Sequence, residues 1–216
     1  KAYERTFLKG IFVNKLSRSK IKFKVYESNI HPLIRMMHIR DLDAVGWIKV
    51  SKENYTIDEE ASTSCEINAT CRWSKLEKVD KNNIQKFVIA SYDIECTSID
   101  GTFPNAQRDG DKVIQIGVTL SRFGEDECYY KHIITLRETD NIEGVVVEWY
   151  KTEQEVLLAF SRLIRKLDPD IITGYNIFGF DFDYLMERSK KLNIFSNFSR
   201  LSRNKNEICE FVVQKL

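Results

Sequence analysis

Phe87-Val88-Ile89-Ala90-Ser91-Tyr92 is a near-continuous apolar run that ends on two acids, Asp93 and Glu95. No other stretch restricts the fold as strongly. A run of this length reads as a central strand buried on both faces of a sheet. The acids sit two residues apart at its end, so both carboxylates share one face, about 7 Å apart along the strand. Two such charges repel unless a cation or a proton comes between them. An isolated Asp-x-Glu is also an ordinary solvent-facing strand end, so its surroundings must decide.

The elements that follow supply those surroundings. Residues 113–120 (VIQIGVTL) and 129–136 (YYKHIITL) read as two more strands, with a turn opening at Phe123-Gly124-Glu125. Sequential strands of this kind tend to pair antiparallel. Thr152-Glu153-Gln154-Glu155 is a capping box that opens a helix. Val156, Phe160, Leu163, Ile164 and Leu167 form its apolar face. Pro169 stops it, residues 170–174 are a short strand, and Phe182 to Leu192 is a second amphipathic helix. Three antiparallel strands followed by a βα crossover predict an α/β fold, for which an RNase H-like sheet is one natural fit.

Residues 1–84 read as a separate, small α+β module, ahead of residues 85–216. The polar stretch Glu77–Asn83 marks the boundary. Phe23–Tyr26, Trp47–Val50 and 64–73 are predicted strands, the last with Cys65, Ile67, Ala69 and Cys71 on one face. Residues 33–40 read as a helix with Pro32 at its first position, and 56–65 as a loop. Residues 1–85 carry 16 basic and 11 acidic side chains, and residues 86–216 carry 17 and 21. The first half suits a phosphate backbone and the second suits divalent cations. Eight of the basic residues lie in residues 1–24 against a single acid, which suits weak, non-sequence-specific nucleic-acid binding. Five cysteines at irregular spacing, with no CxxC, argue against a zinc or disulfide framework. They read as small core residues in a reducing compartment. No segment approaches the roughly 18 apolar residues of a membrane span.

Asp181 provides a third acid, in the first turn of the helix that follows the 170–174 strand. Asn176 lies in the intervening turn. Acids in a first turn commonly complement the helix dipole, and Asp183 reads as such a case. Ends of neighbouring strands converge in open α/β sheets, however, so Asp93, Glu95 and Asp181 can form one anionic site. Such a site suits two divalent metal ions, about 3.5–4 Å apart, that clamp a phosphodiester. Mg²⁺ or Mn²⁺ fits, because both prefer oxygen ligands.

At these residues the chain resembles the family B DNA polymerases, of the delta type and its relatives in large DNA viruses. Ala90-Ser91-Tyr92-Asp93-Ile94-Glu95-Cys96 is similar to that family's first exonuclease motif. Residues 168–176 (DPDIITGYN) with Phe180-Asp181 resemble the second, more specific one. Gly101-Thr102-Phe103-Pro104 and Val113–Ile116 between them are similar too, as are residues 26–30, 37–39 and Gly46-Trp47 in the N-terminal module. The resemblance implies an RNase H-like 3′→5′ proofreading exonuclease inside a replicative DNA-directed DNA polymerase. It implies that Asp93 bridges two metal ions, that Glu95 holds the water-bearing one, and that Asp181 holds the second. Asn176 would contact the single-stranded 3′ end, and Phe103 would shape the strand's path. The implied partners are DNA, as single-stranded 3′ end and primer-template, with a processivity factor for the intact protein and no membrane. The implied setting is the nucleus or a viral replication compartment.

Two departures qualify the resemblance. Asp109-Gly110-Asp111-Lys112 is a longer link than the family's usual one. The family's third exonuclease motif, a Tyr followed by an Asp on a helix, is not found after Asp181, and the polymerase signatures are absent. The chain also begins with Lys1. It is therefore expected to be a piece of a larger protein, with an exonuclease fold incomplete at its C-terminal end and little sustained nuclease activity by itself. The rival expectation is a non-enzymatic nucleic-acid-binding or scaffold module that keeps the fold.

Overall fold

The computed structural model of the chain describes residues 9, 20–24, 26 and 29–210. Most of the basic stretch 1–24 therefore lies outside the described residues, as do Val25, Glu27 and Ser28. The chain forms two compact units. One comprises Lys1–Ile57 and Ala69–Asn83, the other Asp58–Asn68 and Ile84–Leu216.

In the first unit, helix α1 (Pro32–Ile39) starts with its proline at the first turn, and the His31 side chain accepts a hydrogen bond from Leu33 N. Strand β1 (Trp47–Lys49) pairs antiparallel with β4 (Glu77–Val79), and β2 (Tyr55–Ile57) with β3 (Ala69–Cys71). Arg40 donates to Leu76 O at 2.7 and 3.0 Å. Residues 22–24 and 26 form no strand, contrary to the period-2 reading. The expected strand over 64–73 shrinks to β3. Its first half is a loop closed by its own side chains: Asn68 donates to Cys65 O and Thr63 Oγ1 accepts from Cys65 N. Such side-chain bonds offer the backbone an alternative to a ladder.

The second unit carries the core. Its five-stranded mixed sheet has the order β8-β7-β6-β5-β9. The strands are β5 (Val88–Cys96), β6 (Val113–Arg122), β7 (Cys128–Leu136), β8 (Val146–Tyr150) and β9 (Ile171–Thr173). β5–β6–β7 run antiparallel as expected, and β9 lies parallel beside β5. The α/β class and the mixed sheet are borne out. β8 was not anticipated. It runs parallel to β7 after a short link with no helix, whereas parallel neighbours usually need a longer crossover. Helices α2 (Glu153–Leu167), α3 (Asp181–Lys191) and α4 (Phe195–Phe198) complete the unit.

β5 is central but not buried on both faces. Ala90, Tyr92 and Ile94 enter the core, where the Tyr92 ring meets Phe160 of α2 at 5.2 Å and Phe182 of α3 at 5.7 Å. The alternate residues Ile89 and Ser91 are half-buried, and Asp93 and Glu95 are exposed. The cause is that the helices pack against only one face of the sheet. The cysteines are free thiols. Cys96 and Cys209 pack, partly buried, against the core as expected, Cys71 and Cys128 are half-buried, and Cys65 is exposed.

α2 begins at the capping box: Thr152 accepts from Glu155 N, and Glu155 accepts from Thr152 N. It ends on Asp168 in the left-handed region. Asp170 then fixes β9 to β5. Its Oδ2 accepts from Val88 N at 2.9 Å, and Arg203 donates to Oδ1 at 2.9 Å. At the other end of β9 the backbone of Gly174 runs against Tyr92. A Cβ there would sit 2.5 Å from Tyr92 O and 2.4 Å from Ile177 Cγ2.

Two outcomes follow from these contacts. Gly174→Ala should destabilise the protein by about 1–3 kcal/mol through overpacking, read as a lower Tm. The Val88 amide and then Arg203 hold the Asp170 carboxyl below the usual aspartate range. Its contribution to stability is therefore present above a pH near 3.8 and is lost as pH falls through the lowered folded value. Asp170→Asn should lower Tm at neutral pH, with the gap to the parent closing in acid. An unchanged Tm at neutral pH would contradict this.

Candidate active site

Three acidic residues lie at the end of β5, each placed by a different local rule. Asp93 and Glu95 project from the uncovered face because strand side chains alternate. Asp181 reaches the same strand from the first turn of α3. Its Oδ1 accepts a hydrogen bond from Ile94 N at 3.2 Å, at the residue between the two acids. Asp181 is 2 % exposed.

The turn that delivers Asp181 is built by Asn176, which sits in the left-handed region at φ 53°. Its carbonyl accepts from Gly179 N at 2.8 Å and Phe180 N at 3.1 Å. Asn176 itself is exposed. A Cβ on Gly179 would stand 2.3 Å from Asn176 Oδ1, so the Asn176 side chain would have to swing away. Phe180 precedes Asp181, and its ring lies 4.8 Å from that of Phe103, which is 72 % exposed. The five residues singled out in the sequence thus lie on β5, on the loop leaving it, or on the turn entering α3.

The electrostatics are those of a cation-seeking site. Burial pushes the Asp181 carboxyl above its ordinary range. Its own amide and the Ile94 amide oppose that, and the charges of Asp93 and Glu95 add to it. Among the described residues none of the three carboxylates is in an ion pair with Lys or Arg. The donor set is three hard oxygens, which fits Mg²⁺ or Mn²⁺ rather than a soft metal. As placed, no three His, Cys, Asp or Glu side chains among the described residues are grouped closely enough to hold an ion. Asp181 is brought to the strand, while the Asp93 and Glu95 side chains stand out in solvent.

Several residues that shape the site were missed in the sequence. Tyr92 Oη is buried without a hydrogen-bond partner among the described residues. Burial, then Asp181 and Asp93, push its pKa up, so it stays a neutral phenol. Burial likewise pushes the Cys96 thiol up to about 12, which leaves it unreactive. Tyr184 and Arg188 lie three and seven residues after Asp181, on the same side of α3, and both are buried. That helical spacing was the available signal.

Comparisons with known proteins place this chain among relatives. Residues 23–215 match the family model described as DNA polymerase family B, exonuclease domain. A DNA polymerase of Acanthamoeba polyphaga mimivirus is 41% identical over 179 residues, covering 82% of this chain and 10% of that protein. The DNA polymerase delta catalytic subunit of Arabidopsis thaliana is 39% identical over 188 residues, covering 85% of this chain and 17% of that protein. The chain thus spans only a small part of these relatives' length. The solved family B DNA polymerase from the hyperthermophilic archaeon Pyrobaculum calidifontis shares the fold, with a TM-score of 0.56 at 22% identity over 85% of this chain and 20% of that one.

Burial of Asp181, with smaller additions from the charges of Asp93 and Glu95, disfavours its ionised form. A carboxyl whose folded pKa is raised contributes stability below its unfolded value, near 3.8, and loses it as pH rises through the folded one. In chelator at neutral pH, Asp181→Asn should therefore have a higher Tm than the parent, since an amide still accepts from Ile94 N without the charge. The difference should vanish in acid, and Mn²⁺ should raise the Tm of the parent alone. An equal Mn²⁺ response in both proteins would rule out Asp181 as a ligand.

Proposed function

The chain belongs to the family B DNA polymerases, within their exonuclease domain, and on that premise we propose that it is part of a DNA-directed DNA polymerase of DNA replication. In this reading it carries the 3′→5′ exonuclease that proofreads single-stranded 3′ ends. Residues 1–84 are its N-terminal domain and 85–216 its exonuclease domain. The observation that carries the reading is the seat of the Asp181 carboxylate on Ile94 N, between Asp93 and Glu95, in a chain matched over residues 23–215.

Asp93, Glu95 and Asp181 are the proposed ligands of two divalent ions, Mg²⁺ or Mn²⁺. Such ions supply a water made nucleophilic at neutral pH and a counter-charge for the departing 3′ oxygen. The chain's own residues do the rest. Glu95 accepts a proton-side hydrogen bond from the attacking water and so orients its lone pair toward phosphorus. Asp181, held by the Ile94 amide and its own, presents a carboxylate of fixed orientation at the strand end. Asn176 offers its side-chain amide to the terminal nucleotide. Phe103, largely exposed, presents a ring on which a base can stack. DNA is the proposed substrate and a processivity factor a further partner, at work in a nucleus or a viral replication compartment. No helix among the described residues is long and apolar enough to cross a membrane.

The test uses the intact polymerase. With Mg²⁺ and a mismatched 3′ terminus, Asp93→Ala with Glu95→Ala should cut excision by about 10²–10³-fold or more, the scale of losing groups that stabilise a transition state. Nucleotide incorporation should continue. Excision undiminished in the double variant would refute the assignment. A parent protein that binds single strands but never cleaves them would favour the non-enzymatic nucleic-acid-binding module.

A further inference from the structure

The loop over residues 97–112, which joins β5 to β6 and carries Phe103, is held from inside and from below. Inside, the fully buried Asp111 accepts from Ile99 N at 2.9 Å and Asn105 N at 2.7 Å, and pairs with Arg108 at 2.7 Å. Arg108 in turn donates to Phe103 O at 2.8 Å and pairs with Asp100. From below, the hold comes from α3. Arg188 donates Nη1 to Ala106 O at 2.9 Å and to Arg108 O at 2.7 Å. Its Nε and Nη2 grip both oxygens of Glu153 at 2.7 and 2.8 Å. Tyr184 Oη donates to Asp111 O at 2.9 Å.

Arg188 is 2 % exposed and lies two helical turns beyond Asp181. It has no route to a substrate, yet it connects the loop bearing the stacking ring to the helix bearing the carboxylate. We propose that Arg188 is a positioning residue that, by fastening the 97–112 loop to α3, sets where Phe103 stands relative to Asp181. The inference rests on the exonuclease reading of that site and deepens it. A base stacked on Phe103 and a phosphate at Asp181 must be a fixed distance apart; the Phe103–Phe180 ring contact and the planar fork of Arg188, which holds Ala106 O and Arg108 O, together keep the loop against α3. Lysine cannot replace it, because an ammonium is a single point and cannot span two carbonyls and a carboxylate at once. The geometry predicts an effect on single-strand binding through Phe103 and not on the carboxylates' own chemistry.

The test again uses the intact polymerase, with Arg188→Lys, Phe103→Ala and both together. Hydrogen exchange should quicken across residues 99–109 in Arg188→Lys while β5 and β6 keep their protection. The Kd for a 5′-labelled single-stranded oligonucleotide, read by anisotropy in chelator, should weaken about tenfold in each single variant, the scale of one lost stacked base. The double variant should be no weaker than Phe103→Ala alone, because both act through one ring. KM for excision should rise in parallel, with kcat at saturation little changed. Additive losses, an unaltered Kd, unaltered loop exchange or a fall confined to kcat would each overturn the inference. So would a parent protein with no affinity for single strands. If Arg188→Lys does not fold, Glu153→Gln with Arg188→Met removes both buried charges together, keeps an acceptor for Val113 N, and faces the same criteria. Failure of the exonuclease reading shows separately, as excision that survives Asp93→Ala with Glu95→Ala. The exchange and anisotropy results then still decide the role of Arg188.

Discussion

The buried pair of Glu153 and Arg188 holds the second unit in register. Both side chains are almost fully shielded, at 5 and 2 % exposure, so each has lost its hydration. What offsets that loss is a dense set of hydrogen bonds to both groups. Glu153 takes two bonds from Arg188 and one from Val113 N, and Arg188 also takes up carbonyls of the 106–109 loop. An ion pair of this kind adds little net stability compared with a well-packed apolar pair, but removing one partner strands the other's charge. Its consequence is geometric. The start of α2, the start of β6, the last turn of α3 and the loop after β5 are all fixed by two side chains.

That frame determines the electrostatics at the end of β5. With the helices on one side of the sheet, alternation sends Tyr92 and Ile94 inward and leaves Asp93 and Glu95 in solvent. The close approach of Gly174 to Tyr92 O lets β9 end beside β5, so that the turn at Asn176 brings Asp181 to Ile94 N. One buried and two exposed carboxylates then share a strand end with no cationic side chain among the described residues paired to them. A protein tolerates such an arrangement where a proton or a metal ion completes it. The neighbouring polar groups do not compete, since Tyr92 and Cys96 are both held neutral by burial.

Much of this was legible in the chain itself. The three antiparallel strands, the capping box at Thr152, the stop at Pro169 and the first-turn position of Asp181 all follow from local patterns. The physics acts within a few residues, through alternation, helical spacing and capping bonds. β8 escaped because its five residues lie between polar links and gain their partner only through β7. The strand expected over 64–73 lost its first half for the opposite reason. Its alternation was genuine, but side chains of Thr63 and Asn68 take up the Cys65 backbone groups that a ladder would have used.

The sequence by itself determined the kind of sheet, the identity of the acids and the family to which the motifs belong, because those are encoded in spacing along one strand or one helix. Only the tertiary structure decided that β5 is covered on one face, that Asp181 is the buried member of the acidic group, and that Arg188 joins α3 to the loop of Phe103. Each of these depends on groups brought together from distant parts of the chain. Glu153 and Arg188 stand 35 residues apart, and Ile94 and Asp181 stand 87 apart. Desolvation and long-range hydrogen bonding arise only when such pairs meet, so no local pattern could have announced them.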